Sequence, residues 1–224
     1  REYVAAIAKK YDLLSVPVVD KENRLVGIIT IDDIIDIIDE EATEDFEKMA
    51  LLTPSEDEYI KTGVISLAKN RIPWLIVLML ASTLTGQIIE GFESKLSVVA
   101  GLTACIPMLM GTGGNSGSQA SVTVIRGLSL GEIDVRDILR VLWKEIRVSV
   151  LCGVSLAVAC FVKIILIDGL LLKTPGVNNN VALVVALTLC LTVICAKFIG
   201  CVLPIIAKKL KLDPAVMASP FITT

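Results

Sequence analysis

Apolar residues recur at helical intervals over residues 2–10, after which the pattern changes to two short apolar runs, "LLSVPVVD" and "RLVGIIT", separated by the turn residues "KEN". The first run predicts a buried strand and the second a partner strand. In "IDDIIDII" the apolar positions return to a spacing of three and four, with Thr30 as a candidate N-cap, so helix–strand–strand–helix is the expected order of a small α/β unit. That last helix runs on into an acidic stretch until Pro54 interrupts it. "TPSEDEYIKTGVISLAKNR" then predicts a second, amphipathic helix, capped at Thr53 or Ser55 with Pro54 in its first turn.

From residue 72 the pattern is of another kind. Residues 72–89, the stretch from near Leu96 into the 111–121 segment, residues 148–167 and residues 181–207 are long, almost uncharged apolar runs. Each is about the 20 residues needed to cross a hydrocarbon layer of roughly 30 Å. A fifth run starts near Asp213 and continues to Thr224. A mean hydropathy of +0.75 with only 20% charged residues is too apolar for an ordinary soluble domain and agrees with this count. The fold expected is mainly α: a polytopic helical membrane domain (71–224) of four complete spans and a truncated fifth. A partial α/β domain (1–39) and an acidic connecting helix region (40–70) precede it. The chain opens in mid-pattern on Arg1 and stops inside an apolar run, and is read as a piece of a longer protein.

The second run is interrupted in an unusual way. "PMLMGTGGNSGSQASVTVIRG" passes from apolar residues to a cluster of Gly, Thr, Asn, Ser and Gln without a single charge before Arg126. Polar groups facing lipid cost several kcal/mol each, so this segment has to face protein or water. Gly113, Gly117 and Ser121 form a small-xxx-small ladder suited to close helix packing. Asn115, Ser118, Gln119 and backbone carbonyls could instead line a wet path for a hard or hydrated cation. The two readings are compatible.

Charge adds an orientation. Lys and Arg number eleven in the segment before span one and in the loops between spans two and three and between four and five; the other two loops hold only Lys95 and Lys173. The positive-inside rule then puts the N-terminal part in the cytoplasm. Half of the 24 acidic residues lie between Asp32 and Glu58, opposed there only by Lys48. This block excludes nucleic acid and anionic lipid as partners and favours cations. Glu40, Glu41, Glu44 and Asp45 repel one another at helical spacing, a repulsion that shared Mg²⁺ would reverse, since this ion keeps most of its water and needs few carboxylates. The six cysteines all sit in apolar segments and read as small buried hydrophobes. Lys163 and Lys197 fall inside spans three and four, where snorkelling to an interface is expected. There is no histidine, no nucleophile–base pair and no phosphate-binding glycine loop followed by Lys, so no enzyme is expected.

"PMLMGTGGNSGSQASVTVIRGLSLGEI", "EATEDFEKMA", "GFESKL" and "KLKLDPAVMASPFITT" together strongly resemble the MgtE magnesium channels. "LLSVPVVDKENRLVGIITIDDIIDII" resembles the second half of a CBS domain, the module that precedes the membrane part in that family. The resemblance implies a homodimer in the cell membrane with a central Mg²⁺ pore lined by spans two and five, closed by the acidic helix when intracellular Mg²⁺ is high. Gly111, Gly114, Asn115 and Gln119 on span two, with Ser219 and Thr223 on span five, are the ion-pathway residues expected; many family members carry asparagine where Ser219 stands. The family's main pore carboxylate would lie a few residues beyond Thr224. The gating acids would be Glu2, Asp12, Asp33, Asp36, Glu41, Glu44, Asp45 and Asp213. Asp32 resembles the acid that holds a nucleotide ribose in many CBS domains, which admits ATP at the complete domain. Two other classes compete: an ion-coupled divalent-cation transporter and a CBS-regulated membrane sensor. The first needs a titratable relay inside the membrane, and spans one to four show no acid in their interiors. The second leaves the polar run at 111–119 without a purpose.

Overall fold

The computed structural model describes residues 2–54, 59–96, 100–174, 176–217 and 222. The chain divides into two compact units: residues 1–48 with 53–62, and residues 49–52 with 63–224.

The first unit consists of α1 (Glu2–Tyr11), β1 (Ser15–Val19), β2 (Leu25–Thr30) and α2 (Ile31–Met49). The strands pair antiparallel, Val16 opposite Ile29, with a bulge between Val18 and Val19. At the turn, the Asp20 carboxylate accepts hydrogen bonds from the amides of Glu22 (2.9 Å) and Arg24 (2.8 Å). Asn23 takes a left-handed φ of 59°, a conformation asparagine tolerates. The core is Ala5, Ala8 and Ile34, with Val16, Ile29 and Ile37 packed on it. The expectation of a buried first strand is corrected: β1 is exposed except at Val16. A two-stranded sheet with helices on one side turns alternate residues away from that core, so Val26 and Ile28 are more than half exposed.

The start of α2 explains one of the acids. Thr30 donates from its hydroxyl (2.7 Å) and its amide (3.1 Å) to the same Asp33 carboxylate oxygen. This is the return half of a capping box, in which the N3 side chain reaches back to the N-cap amide. The hydroxyl bond, and after it the amide bond, hold the Asp33 carboxyl below its ordinary 3.8. The charged form is therefore favoured by folding. Its contribution is complete above about pH 4 and is lost as pH falls through the lowered value. Thr30→Val removes the larger cause, so the Asp33 titration midpoint followed by carboxyl NMR should rise toward the ordinary value. An unmoved midpoint would mean that the cap is not formed.

The amphipathic helix expected from Thr53 is also corrected. Residues 50–54 and 59–63 are turns and irregular chain, and Ser55 to Glu58 lie outside the described residues. Leu51 has a left-handed φ of 52° just beyond α2. The next helix begins at Val64, where the Gly63 carbonyl accepts the first helical bond from Leu67 (3.1 Å).

The second unit holds α3 (Val64–Leu96), α4 (Ala100–Ser129), α5 (Ile138–Lys163, continued by a π-helical stretch Ile164–Leu171) and α6 (Asn179–Lys209). α3, the α5 run and α6 are each long and apolar enough to cross a membrane. α4 has 30 residues, roughly 45 Å of helix, but its polar middle keeps it below the same apolar standard. A short 3₁₀ turn, Pro214–Met217, follows α6. α6 is the central helix, packed on α4 along one side and α5 along another. Its buried residues include Val185, Leu189, Val193, Cys201 and Ile205, whereas no residue of α3 is buried within the chain. All six cysteines are free thiols. The small ones serve contact: a Cβ added at Gly153 of α5 would meet the Cys190 sulfur of α6 at 3.0 Å.

Candidate ion pathway

α4 carries the polar run, and its two sides do different things. Gly113, Gly117 and Ser121 are buried, on the side that packs on α6. A Cβ at Gly113 would meet the Thr192 methyl at 2.6 Å, and one at Gly117 would meet the Ala196 carbonyl oxygen at 2.9 Å. Conversely, a Cβ at Gly200 of α6 would overlap the Gly117 carbonyl. Spacing of four along both helices (Gly113 and Gly117; Thr192, Ala196 and Gly200) lets the backbones touch. The ladder is a packing device.

The other side is exposed at Gly111, Asn115, Gln119, Val122 and Thr123, with Ser118 half-buried beside them. Gly111, Asn115 and Gln119 lie one above another at intervals of about 6 Å. Open space surrounds the Cβ position of Gly111. Thr123 turns its hydroxyl inward to donate to the Gln119 carbonyl (2.7 Å), leaving a row of amide groups on an otherwise membrane-length helix. Gly114 is placed differently from its neighbours. It is buried and lines, with Gly113, Met110, Thr188, Cys195 and Ile222, a cavity of about 490 Å³ between α4 and α6. Ser219 and Thr223 lie outside the described residues.

Charges gather at the ends of the second unit. Arg126, Arg136, Arg140, Lys144, Arg147, Lys208 and Lys209 all belong to the end where α4 stops, α5 starts and α6 stops. There the Lys208 ammonium donates to the Leu128 carbonyl (3.1 Å). Toward the opposite end Lys163 donates to both oxygens of Asp168 (3.0 and 2.7 Å) rather than reaching out alone. Lys197 departs further from the expected snorkelling. Its side chain is 6% exposed and its ammonium lies 3.5 Å from Glu145, itself only 18% exposed. Hydropathy alone started the third span at residue 148 and left Glu145 in a loop; the helix in fact begins at Ile138. The overlooked signal is register. Glu145 precedes the buried Ser149 and Gly153 by four and eight residues, and Lys197 stands between the buried Val193 and Cys201.

The acidic residues are spread out. Asp33 serves the cap described above, and Asp32 and Asp36 are exposed on α2. Glu41, Glu44 and Asp45 are half-buried on its second half, where Glu44 pairs with Lys48 one turn on. Asp12 ends α1 in a left-handed conformation, φ 50°. Glu2 is the first residue of α1, and its side chain lies outside what is described. Asp213, in the second unit, accepts from the Ala215 amide (2.9 Å) and so caps the Pro214–Met217 turn. Among the described residues no three acidic, cysteine or histidine side chains come together as a metal cage. Any divalent ion on α2 would be held by one or two carboxylates and its own water, the coordination Mg²⁺ accepts.

Two family profiles match the chain: a CBS domain over residues 2–40 and MgtE, a divalent cation transporter, over residues 106–224. The chain is 38% identical to the magnesium transporter MgtE of Thermus thermophilus and 40% identical to that of Bacillus subtilis. Both alignments cover all 224 residues of this chain and 48% of the relative. An Enterococcus faecalis magnesium transporter MgtE is 32% identical over the same span. The chain therefore spans about half the length of the curated relatives it matches.

Proposed function

We propose, on the premise that this chain belongs to the MgtE family of divalent cation transporters, that the whole protein passes Mg²⁺ across the cell membrane along the exposed polar side of α4. The observation that carries this reading is the division of α4 into two sides. The glycines account for packing on α6, and packing leaves Asn115 and Gln119 without a purpose on the opposite side. A membrane helix cannot turn such amides toward lipid without a cost of several kcal/mol each, so that side faces water or a second protein surface. In a homodimer it would face a shared central path, completed by the segment containing Ser219 and Thr223. Side-chain amides and carbonyls supply neutral oxygens to an ion that keeps its inner water shell. Gly111, lacking a side chain, leaves room for that shell. Gly114 supports the path from behind rather than lining it.

The basic residues at one end of the second unit support a cytoplasmic placement of that end and of the N-terminal unit. Mg²⁺ bound on α2 by Glu41, Glu44 and Asp45 would relieve their mutual repulsion and favour a closed state, and Asp213 is a further candidate gating acid. Regulation of this kind needs a difference in Mg²⁺ affinity between open and closed states. ATP at a complete CBS domain would add a second input through Asp32.

Glu145, part-buried like Asp168 and like it inside the spanning run Ile138–Leu171, is an observation that favours ion-coupled transport, because it places a carboxylate in a spanning helix. Its pairing with Lys197 argues against a role as a free proton carrier. Mg²⁺ flux into vesicles holding the full-length protein tests the whole reading. Flux should persist without a pH gradient and fall when Mg²⁺ is raised on the side of the acidic unit. The Glu41→Ala/Glu44→Gln/Asp45→Asn variant should lose that fall. Uptake that stops when the pH gradient is collapsed at constant membrane potential would replace the channel by a coupled transporter. Inhibition unchanged in the triple variant would remove α2 from the sensing step.

A further inference from the structure

The Lys197–Glu145 pair is not explained by stability. Its ammonium and carboxylate are 3.5 Å apart, too long for a charge-assisted hydrogen bond. Taking two charges out of water generally costs as much as the attraction between them returns. Its location is more informative. Ala196 and Gly200 of α6 are the positions whose backbone touches Gly117 of α4, and Lys197 stands between them in sequence. Gly117 in turn lies on the side of α4 that faces away from Asn115 and Gln119. Glu145 belongs to α5, which packs on another side of α6 from α4, so the pair is separated from the polar row by at least the thickness of one helix, on the order of 10 Å. The α4 helix itself lies across that distance, so salt screens a charge there less than it would at the surface.

We propose that Glu145 sets the affinity of the α4 path for divalent cations by neutralising Lys197, which would otherwise repel them through the helix. This rests on the reading of α4 as the cation path. The pair has no net charge and leaves the path to its neutral oxygens. Loss of the carboxylate would expose the ion to a fixed positive charge behind it. Glu145 never touches the ion; it acts through Lys197.

The decisive variants carry a group that stays ionised whatever its surroundings. Lys197→Arg keeps the positive charge at any working pH. Adding Glu145→Gln to it leaves that guanidinium uncompensated, whereas Glu145→Gln/Lys197→Met removes both charges. Initial rates of Mg²⁺ uptake by the full-length protein in vesicles, measured over a range of Mg²⁺ concentrations, separate affinity from maximal rate. The Glu145→Gln/Lys197→Arg variant should need at least about tenfold more Mg²⁺ for half-maximal uptake than Lys197→Arg alone. One charge acting on a divalent ion at an effective dielectric constant of about 20 still gives about this factor at roughly 20 Å. The doubly neutral variant should stay close to the unaltered protein. Equal half-saturating concentrations in the paired and unpaired arginine variants would overturn the proposal. A doubly neutral variant shifted as far as the unpaired one would also overturn it and leave the pair a packing role. Absence of Mg²⁺ uptake by the unaltered protein would overturn the cation-path reading itself and this inference with it.

Discussion

Gly200→Leu should prevent α4 from seating on α6, and the altered protein should be recovered, if at all, without a cooperative unfolding transition. A side chain at this position has nowhere to go. Its first carbon already falls on the carbonyl of Gly117, which is backbone held in a helix and cannot rotate aside. Gly200→Ala isolates that first carbon. Overpacking typically costs about 1–3 kcal/mol, and the better helix propensity of alanine returns up to about 1 kcal/mol. The expected net loss is about 1–2 kcal/mol, seen as a thermal midpoint several degrees lower in detergent. Gly86 of α3 is the control, because open space surrounds its Cβ position. Gly86→Ala should be neutral or slightly stabilising. Equal midpoints for the two alanine variants would mean that α4 and α6 do not meet at these glycines.

Asn115→Leu should have the reverse profile: flux reduced to background with the fold intact. Asn115 is exposed, on the side of α4 away from its contact with α6. Removing its amide therefore opens no cavity and strands no buried partner. An apolar side chain in the middle of a row of neutral oxygens dewets that wall, and a hydrated ion loses the surface along which it moves. Vesicle uptake together with a thermal midpoint checks both halves. Normal uptake would reduce the whole of 111–121 to a packing motif, and a collapsed midpoint would show Asn115 to be structural. Gly200 and Asn115 lie on adjacent helices, yet one should control stability and the other transport.

Much of this was legible in the chain. Helical spacing and short apolar runs bounded by turn residues placed α1, both strands and the start of α2. Composition and run length located the membrane helices, because a hydrocarbon layer accepts only long apolar segments. The polar interruption in the second of them marked the candidate path by the cost of burying unsatisfied amides in lipid. The errors fell where a local pattern gave no information about neighbours. β1 is as apolar as a buried strand, but only a third layer could have covered its outer side. Hydropathy started the third span only after Arg147 and so missed Glu145.

The sequence by itself determined that the 111–121 segment must face protein or water and not lipid, since its polar groups are too costly in hydrocarbon. It could not say which residue faced which way. That was decided by α6, whose own glycine at position 200 admits the backbone of Gly117 and so commits one side of α4 to contact and leaves the other open. The partnership of Lys197 with Glu145, 52 positions apart, is of the same kind. Helical period assigns each residue to a side of its own helix. Which helix covers that side depends on contacts between distant segments, and these come only with the folded chain.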